Sequence, residues 1–331
     1  MNAYLPTTTA TVAIALAWLG GMLVVGYGIA RIRTPAIARG NAWTLLIVSA
    51  AFIERLTVAE PAGVRMLAII AALLWGMKVV VATEAHLVER VRLRPLAWVV
   101  FCVAWFGMRP ARFRNVPGQS CQGVWPLVQS GLVRVGWGCL LVVVARQLAM
   151  GRPSGEARRA AATCLLLVGF SLVVHFGLFD LLAALMRRLG AAVRKLFVAP
   201  LWSTSLTEFW GRRWNLAFSE MTAAAVYRPL RRVAGSPIAG TAAFLFSGLL
   251  HELAISVPVR AGFGLPLLYF AFHAAAMRLE SRWSAGGSPV DRIAWRGRVW
   301  TAAWLLVPLP LLFHVWFLEG CVWPLIGVAA W

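Results

Sequence analysis

The sequence predicts an all-α, polytopic integral membrane protein folded as one domain over residues 1–331, with roughly eight or nine spans and interfacial or re-entrant helices between them. Three observations carry this. Of the 331 residues 60% are hydrophobic and 13% charged, with a mean hydropathy of +0.75, against about 45–50% and 25% in an ordinary soluble domain. Apolar runs recur from residue 10 to residue 331, leaving no polar stretch long enough for a separate water-soluble domain. Lys and Arg number 32 against 12 Asp and Glu, a formal net charge of +20, and every base except Lys78 and Lys195 is arginine. These arginines sit in short clusters between apolar runs, as cytoplasmic loops beside anionic headgroups do, rather than along one stripe that would track nucleic acid.

A span takes about 20 apolar residues. Runs of that length fall at 10–30, 64–83, 124–148, 160–186, 237–257, 264–283 and 299–318, with shorter ones at 41–53, 96–108 and 320–331. The first nine residues carry no base and no clear small-residue cleavage site follows, so the first span is expected to stay, with the N-terminus outside. Basic clusters then follow at Arg31/Arg33/Arg39, Arg90/Arg92/Arg94, Arg109/Arg112/Arg114, Arg152/Arg158/Arg159, Arg187/Arg188/Arg194/Lys195 and from Arg212 to Arg232. Because two of them flank the 96–108 run, that run is expected to dip in and return. Positive charge at so many consecutive loops leaves the later topology open. The cysteines, Cys102, Cys121, Cys139, Cys164 and Cys321, are odd in number and widely spaced without a C-x-x-C pair, which speaks against a disulfide framework or zinc knuckle. The preponderance of arginine suggests a GC-rich genome; the membrane would be the inner membrane of a bacterium or the endoplasmic reticulum of a eukaryote.

Charge inside the apolar runs is the next signal, because an ionised group in hydrocarbon costs several kcal/mol unless it snorkels or finds a partner. Arg134, Asp180, and His251 with Glu252 are such groups. Arg134, some ten residues into its run, reads as snorkelling ahead of functional.

The densest polar and aromatic stretch is STSLTEFWGRRWNLAFSE, residues 203–220. Ser205 followed by Glu208 forms a capping box and predicts a helix from Leu206. On a continuous helix Glu208, Arg212, Asn215 and Ser219 share one face and Trp210 and Trp214 another, the pattern of an interfacial or re-entrant segment. A plain amphipathic anchor with a Glu208–Arg212 pair explains most of it; Asn215, uncharged and flanked by Trp214 and Leu216, leaves a specific polar role open. In residues 240–257, Ser247 and His251 share a face and Glu252 and Ser256 form the neighbouring stripe, a polar seam on an apolar helix that marks His251 as a candidate site. In residues 264–283, Tyr269 and His273 are four apart, and packing is the first reading of His273, support of His251 the second.

Several chemistries are excluded by spacing. Ile255 stands where a zinc-protease helix needs its second histidine, and the G-x-S-x-G elbow, Walker loop and G-x-G-x-x-G are missing. His175 and Asp180 match an H-x4-D spacing, but five residues do not align on one α-helical face, so the match reads as accidental.

Taken in order, SLTEFWGRRWN (205–215), FLFSGLLHELAISVP (244–258) and LLYFAFHAAAMRLE (267–280) resemble the wax synthase-like branch of the membrane-bound O-acyltransferases, the MBOAT family. RPLAWVVFCVAWFGMRPARF (94–113) is similar to that branch's W-P-G-M-R-P-type segment, with Phe106 where proline is often found. The likeness covers roughly residues 94–285, the expected acyltransferase core. It implies a helical fold with a tunnel through the membrane. It also implies transfer of a fatty acyl group from acyl-CoA or another thioester to a lipophilic alcohol, without a metal or cofactor beyond the acyl-CoA co-substrate. The family's histidine maps onto His251, as general base, and its second polar position onto Asn215, to stabilise or orient the acyl carbonyl. Trp210, Trp214 and Arg213 would shape the donor entrance, and Ser247, Glu252 and His273 would line or support the substrate path. A sterol, a diacylglycerol or a sugar hydroxyl are alternative acceptors. A lipid transporter or scaffold is the rival outside the class; it would predict internal symmetry between halves, which the sequence does not display. The oligomeric state is left open.

Overall fold

The computed structural model describes residues 3–151, 155–285 and 294–328; Arg152 of the fourth basic cluster lies outside them. Every regular element among the described residues is helical. In chain order they are α1 (Thr9–Ile29), α2 (Pro35–Leu56), α3 (Ala62–Glu89), α4 (Pro95–Val103), α5 (Val124–Met150), α6 (Glu156–Phe170), α7 (Phe179–Arg188), α8 (Leu206–Glu208), α9 (Leu216–Thr222), α10 (Arg228–Val259), α11 (Leu265–Ala285), α12 (Ala294–Leu306), α13 (Leu309–Leu312) and α14 (Val315–Phe317). Among the described residues six helical stretches are long and apolar enough to cross a membrane, and up to seven if the bent pair Ala294–Leu312 and Val315–Ile326 is one span. The protein is an integral, multi-pass membrane protein.

Local chemistry explains the boundaries. Thr8 caps α1, its side chain accepting from the Thr11 amide at 3.2 Å. Pro35 opens α2 at a position where a helix needs no N–H, so the short 41–53 run becomes a 22-residue helix that takes in Arg39, Asn41 and Glu54. The run 96–108 yields only the nine residues of α4, about 13 Å of helix where a crossing takes about 30 Å. The segment folds back on itself, with Arg114 after it donating to the carbonyl of Glu89 before it at 3.2 Å. Lys78, fully buried on α3, pins the return by donating to the carbonyls of Phe101, Trp105 and Gly107 at 2.8, 2.8 and 2.7 Å, with its Nζ 3.8 Å from the Phe101 ring centre. Three carbonyl dipoles and an aromatic face replace the water an ammonium loses on burial. The one lysine inside the 64–83 run was the available signal, and charge counting along the runs passed over it.

The α5 run also hides a charge. Arg134 does not snorkel: its guanidinium bonds Asp180 at 2.6 Å, and the same carboxylate oxygen accepts from Lys195 and Ser130, each at 2.8 Å. Packing brings these groups together. Gly138 and Gly169 let α5 and α6 approach so closely that a Cβ at either would stand 2.8–3.0 Å from the other's carbonyl oxygen. A π-helical stretch at Ser171–Leu178 then resets the register into α7. His175 and Asp180 face different neighbours, aromatic rings for one and cations for the other, so their spacing is accidental.

The decisive bend lies within α10. Gly235 has φ 79° and ψ 167°, which a side chain disfavours, and Ser236–Pro237 restart the helix. Phe218 and His251 are 33 positions apart, about 50 Å along a straight helix, yet their ring centres lie 5.1 Å apart. The chain therefore doubles back at Gly235, and the arms on either side bring residues 215–218 level with His251.

Candidate active site

The stretch 203–220 is built differently from the single amphipathic helix its pattern suggests. Ser205 does cap α8, accepting from the Glu208 amide at 3.0 Å, but the Glu208 carboxylate reaches the Thr204 amide at 2.8 Å instead of that of Ser205. After one turn the helix widens into a π-helical turn at Phe209–Arg213 and breaks, with Trp214 extended and Asn215 left-handed at φ 40°. The cause is tertiary: the Val198 amide bonds the Arg213 carbonyl at 2.8 Å and the Leu216 amide bonds that of Leu196 at 2.9 Å, so residues 196–198 zip alongside the break. The shared polar face of Glu208, Arg212, Asn215 and Ser219 accordingly does not form. Glu208 pairs with Arg213 at 2.6 Å rather than with Arg212. Burial pushes the Glu208 carboxyl up, and the bonds from Thr204 and Arg213 outweigh it, holding the group below the usual carboxylate range.

Asn215 stands at the N-terminus of α9 with no side-chain bond into the helix, so its amide group is not spent on capping. Asparagine is among the few residues that adopt left-handed backbone readily. Its carbonyl accepts from the Phe218 amide at 2.9 Å, and the Phe218 ring rests on His251. One helical turn thus links the asparagine to the histidine.

His251 is half-buried on the second arm of α10, between Phe218 and Phe270, whose ring centre is 4.5 Å away. Its Nδ1 bonds the Ser247 carbonyl at 2.7 Å. A carbonyl only accepts, so the proton is on Nδ1 and the neutral ring carries its lone pair on Nε2. Ser247 therefore orients the ring through its backbone, while its hydroxyl donates to the Ala243 carbonyl at 3.0 Å. Glu252 turns the other way and caps α11, accepting from the Gly264 amide at 2.8 Å and the Leu267 amide at 3.4 Å. A carboxylate there offsets the positive end of the helix dipole.

His273, on α11, repeats the pattern of His251, with Nδ1 bonded to the Tyr269 carbonyl at 2.8 Å, but it is completely buried and its Nε2 meets no partner among the described residues. Trp210 packs edge-on against it at 5.4 Å and also touches Phe244 and Phe270. His273 thus joins His251 through Trp210 and Phe270. Trp214 belongs to a second aromatic group with Phe197, His175 and Phe209, at 4.9, 5.5 and 5.4 Å. Arg213 holds Glu208 and lies within reach of the Ala199 carbonyl at 3.2 Å. Phe218 and Phe270, the two rings against the imidazole, escaped the sequence reading, which weighed only polar residues; the spacing of Phe218 one turn after Asn215 was the usable hint. A cavity of about 440 Å³ lies at the C-terminal end of α10, and His251 is not part of its lining.

Residues 193–272 match the model described as "Membrane bound O-acyl transferase family". This stretch lies inside 94–285 and contains Asn215 and His251, stopping one residue short of His273. Similar proteins include the long-chain-alcohol O-fatty-acyltransferase of Simmondsia chinensis, 41% identical over 73 residues, which are 20% of this chain and 21% of the relative. The probable long-chain-alcohol O-fatty-acyltransferases 6 and 3 of Arabidopsis thaliana are 33% identical over 141 residues (37% and 40% of the two chains) and 32% over 177 residues (46% and 52%). The chain thus spans between about a fifth and a half of the length of these curated relatives. The matched stretch holds both candidate residues, Asn215 and His251, and over it the chain is similar to membrane bound O-acyl transferases.

Proposed function

We propose that the protein is an O-acyltransferase that moves a fatty acyl group from acyl-CoA to the hydroxyl of a lipophilic alcohol, forming a wax-type ester. The observation that carries this reading is the tautomer of His251. With Nδ1–H tied to the Ser247 carbonyl, the ring that carries the basic Nε2 is held between Phe270 and Phe218, and Phe218 lies one helical turn after Asn215. The printed names of the relatives support the reaction class.

An alcohol attacks a thioester poorly at neutral pH, and an imidazole, with an ordinary pKa of about 6.5, accelerates the attack by accepting its proton. Nε2 of His251 takes the O–H proton as the alcohol oxygen forms a bond to the thioester carbon. Negative charge then grows on the former carbonyl oxygen, where the Asn215 amide N–H₂ stabilises or orients it. The C–S bond breaks, the sulfur leaves, and the imidazolium returns its proton to give the free thiol. Alcohol and thioester become ester and thiol, with His251 neutral again. The rings of Trp210, Trp214, Phe244 and Phe270 supply apolar walls suited to acyl and alkyl chains.

The test is to incubate isolated membranes with labelled acyl-CoA and a panel of long-chain alcohols, sterol and diacylglycerol. Wild-type protein is expected to place label in an ester of the long-chain alcohol, and His251→Ala at equal abundance to lower the rate by about 10²–10⁴-fold. Label in sterol or diacylglycerol esters instead would move the acceptor. Ester formation at full rate without the imidazole overturns the assigned base, and label that crosses between leaflets without entering any ester overturns the enzyme.

A further inference from the structure

The cavity of about 440 Å³ stands apart from His251, where the start of α3, the end of α10 and the stretch after α14 meet. Arg65 forms part of its wall and is only 3% exposed. Its guanidinium donates to the Pro258 carbonyl at 2.9 Å and lies 3.4 Å from Glu54, while its Nε–H is buried with no partner among the described residues. Arg260 stands at the rim, bonded to the Val58 carbonyl. Ala62, the first residue of α3, also lines the space, while the Val64 amide of the same turn is taken by the Ala3 carbonyl at 3.1 Å.

The two acids of the wall are already matched. Glu319 pairs with Arg159, and Glu60 accepts from the Thr7 amide at 2.6 Å, beside the N-terminus of α1. The cavity is left with the Arg260 guanidinium, which has no acid partner among the described residues, and the unfilled Nε–H of buried Arg65, both calling for an anion. Val58 and Trp316 at the edge expose apolar side chains, and a tryptophan at such a position is typical of the membrane–water boundary. An anionic group that arrives with hydrocarbon attached satisfies both features.

We propose that this cavity binds the phosphate headgroup of an anionic membrane lipid, with the acyl chains running down past Val58 and Trp316. The site is independent of the acyl-transfer chemistry, and its test needs no substrate. Delipidated full-length protein in detergent is mixed with phosphatidylglycerol or with a neutral galactosyl diacylglycerol of the same chains, and retained lipid is counted by native mass spectrometry. Wild type is expected to keep phosphatidylglycerol at least about tenfold better than the neutral lipid, and Arg260→Gln to lose most of that preference. Arg65→Gln should lose it more fully; if that variant fails to fold, Arg260→Gln decides alone. Equal retention of both lipids, or an unchanged preference in Arg260→Gln, overturns the site. Melting curves in inorganic phosphate against chloride at equal ionic strength form the second arm, and protection by free phosphate matching that by the lipid overturns the lipid as occupant.

Discussion

Asp180 and His251 both place a polar group in apolar surroundings, and their neighbourhoods differ in kind. Around Asp180 the charges close on one another: Arg134, Lys195 and Ser130 all converge on one carboxylate oxygen within 2.8 Å. Around His251 the partner is a backbone carbonyl on one side, and the other ring nitrogen is left with its lone pair between two phenylalanines. A buried charge must be matched or the bundle does not form. A neutral imidazole can be buried at far lower cost and still have a base to offer. Charge around Asp180 therefore marks architecture, and the neutral imidazole of His251 is the group left with a base to offer.

The sharpest way to break this contrast is Asp180→Asn. It strands Arg134 and Lys195 in the bundle and is expected to cost about 3–5 kcal/mol of stability, seen as a large fall in melting temperature and in folded yield, with residual folded protein turning over normally. A variant that melts like wild type but is inactive would place Asp180 with the chemistry. Asn215→Gly is the converse: glycine keeps the left-handed backbone at φ 40° while deleting the amide. It is expected to leave the melting temperature within a few degrees and to lower kcat by about 10²–10³-fold. Full activity there would reduce Asn215 to a backbone device.

Glu252→Gln tests whether the acid beside His251 follows the first pattern or the second. As a cap on α11 it should cost about 1 kcal/mol or less, read in melting, with KM for both substrates unchanged; a raised KM would return it to the substrate path. The smallest effect is expected from Glu208→Gln. The Glu208 carboxyl is held low in the folded protein, by its bonds to Thr204 and Arg213 against the upward push of burial. Its contribution is therefore present above the ordinary carboxylate range and lost as pH falls through the lowered folded value. The variant should lose about 0.2–1 kcal/mol at neutral pH and show a flatter acid limb in a melting-temperature profile.

Much of this was legible in the residues, and the illegible part has definite causes. The returning segment 94–113 announced itself by arginines on both sides, although Lys78, which pins it, did not, since its carbonyl partners lie 23–29 positions away. The helix start at Leu206 was fixed by Ser205, whereas the break at Trp214–Asn215 depends on residues 196–198, which no local pattern connects to it. Arg134 looked like a headgroup anchor because its partner lies 46 positions away, beyond a π-helical register change. Glu252 follows His251 directly in sequence, yet its carboxylate caps α11, because consecutive side chains on a helix diverge by about 100°.

By itself the sequence determined the solvent this chain folds in and the helix starts at Thr8, Pro35 and Ser205, and it singled out His251 and Asn215 as candidates. Hydropathy, caps and prolines act over a few residues, and a short stretch of chain suffices to express them. Only the tertiary structure decided that Phe218, one turn after Asn215, packs against His251, because that approach depends on a reversal at Gly235. It also decided which nitrogen of His251 keeps its lone pair, which charges neutralise one another, and where the polar cavity at the far end of α10 opens. Each of these depends on contacts between groups far apart along the chain, whose distances are set by packing rather than by order in the sequence.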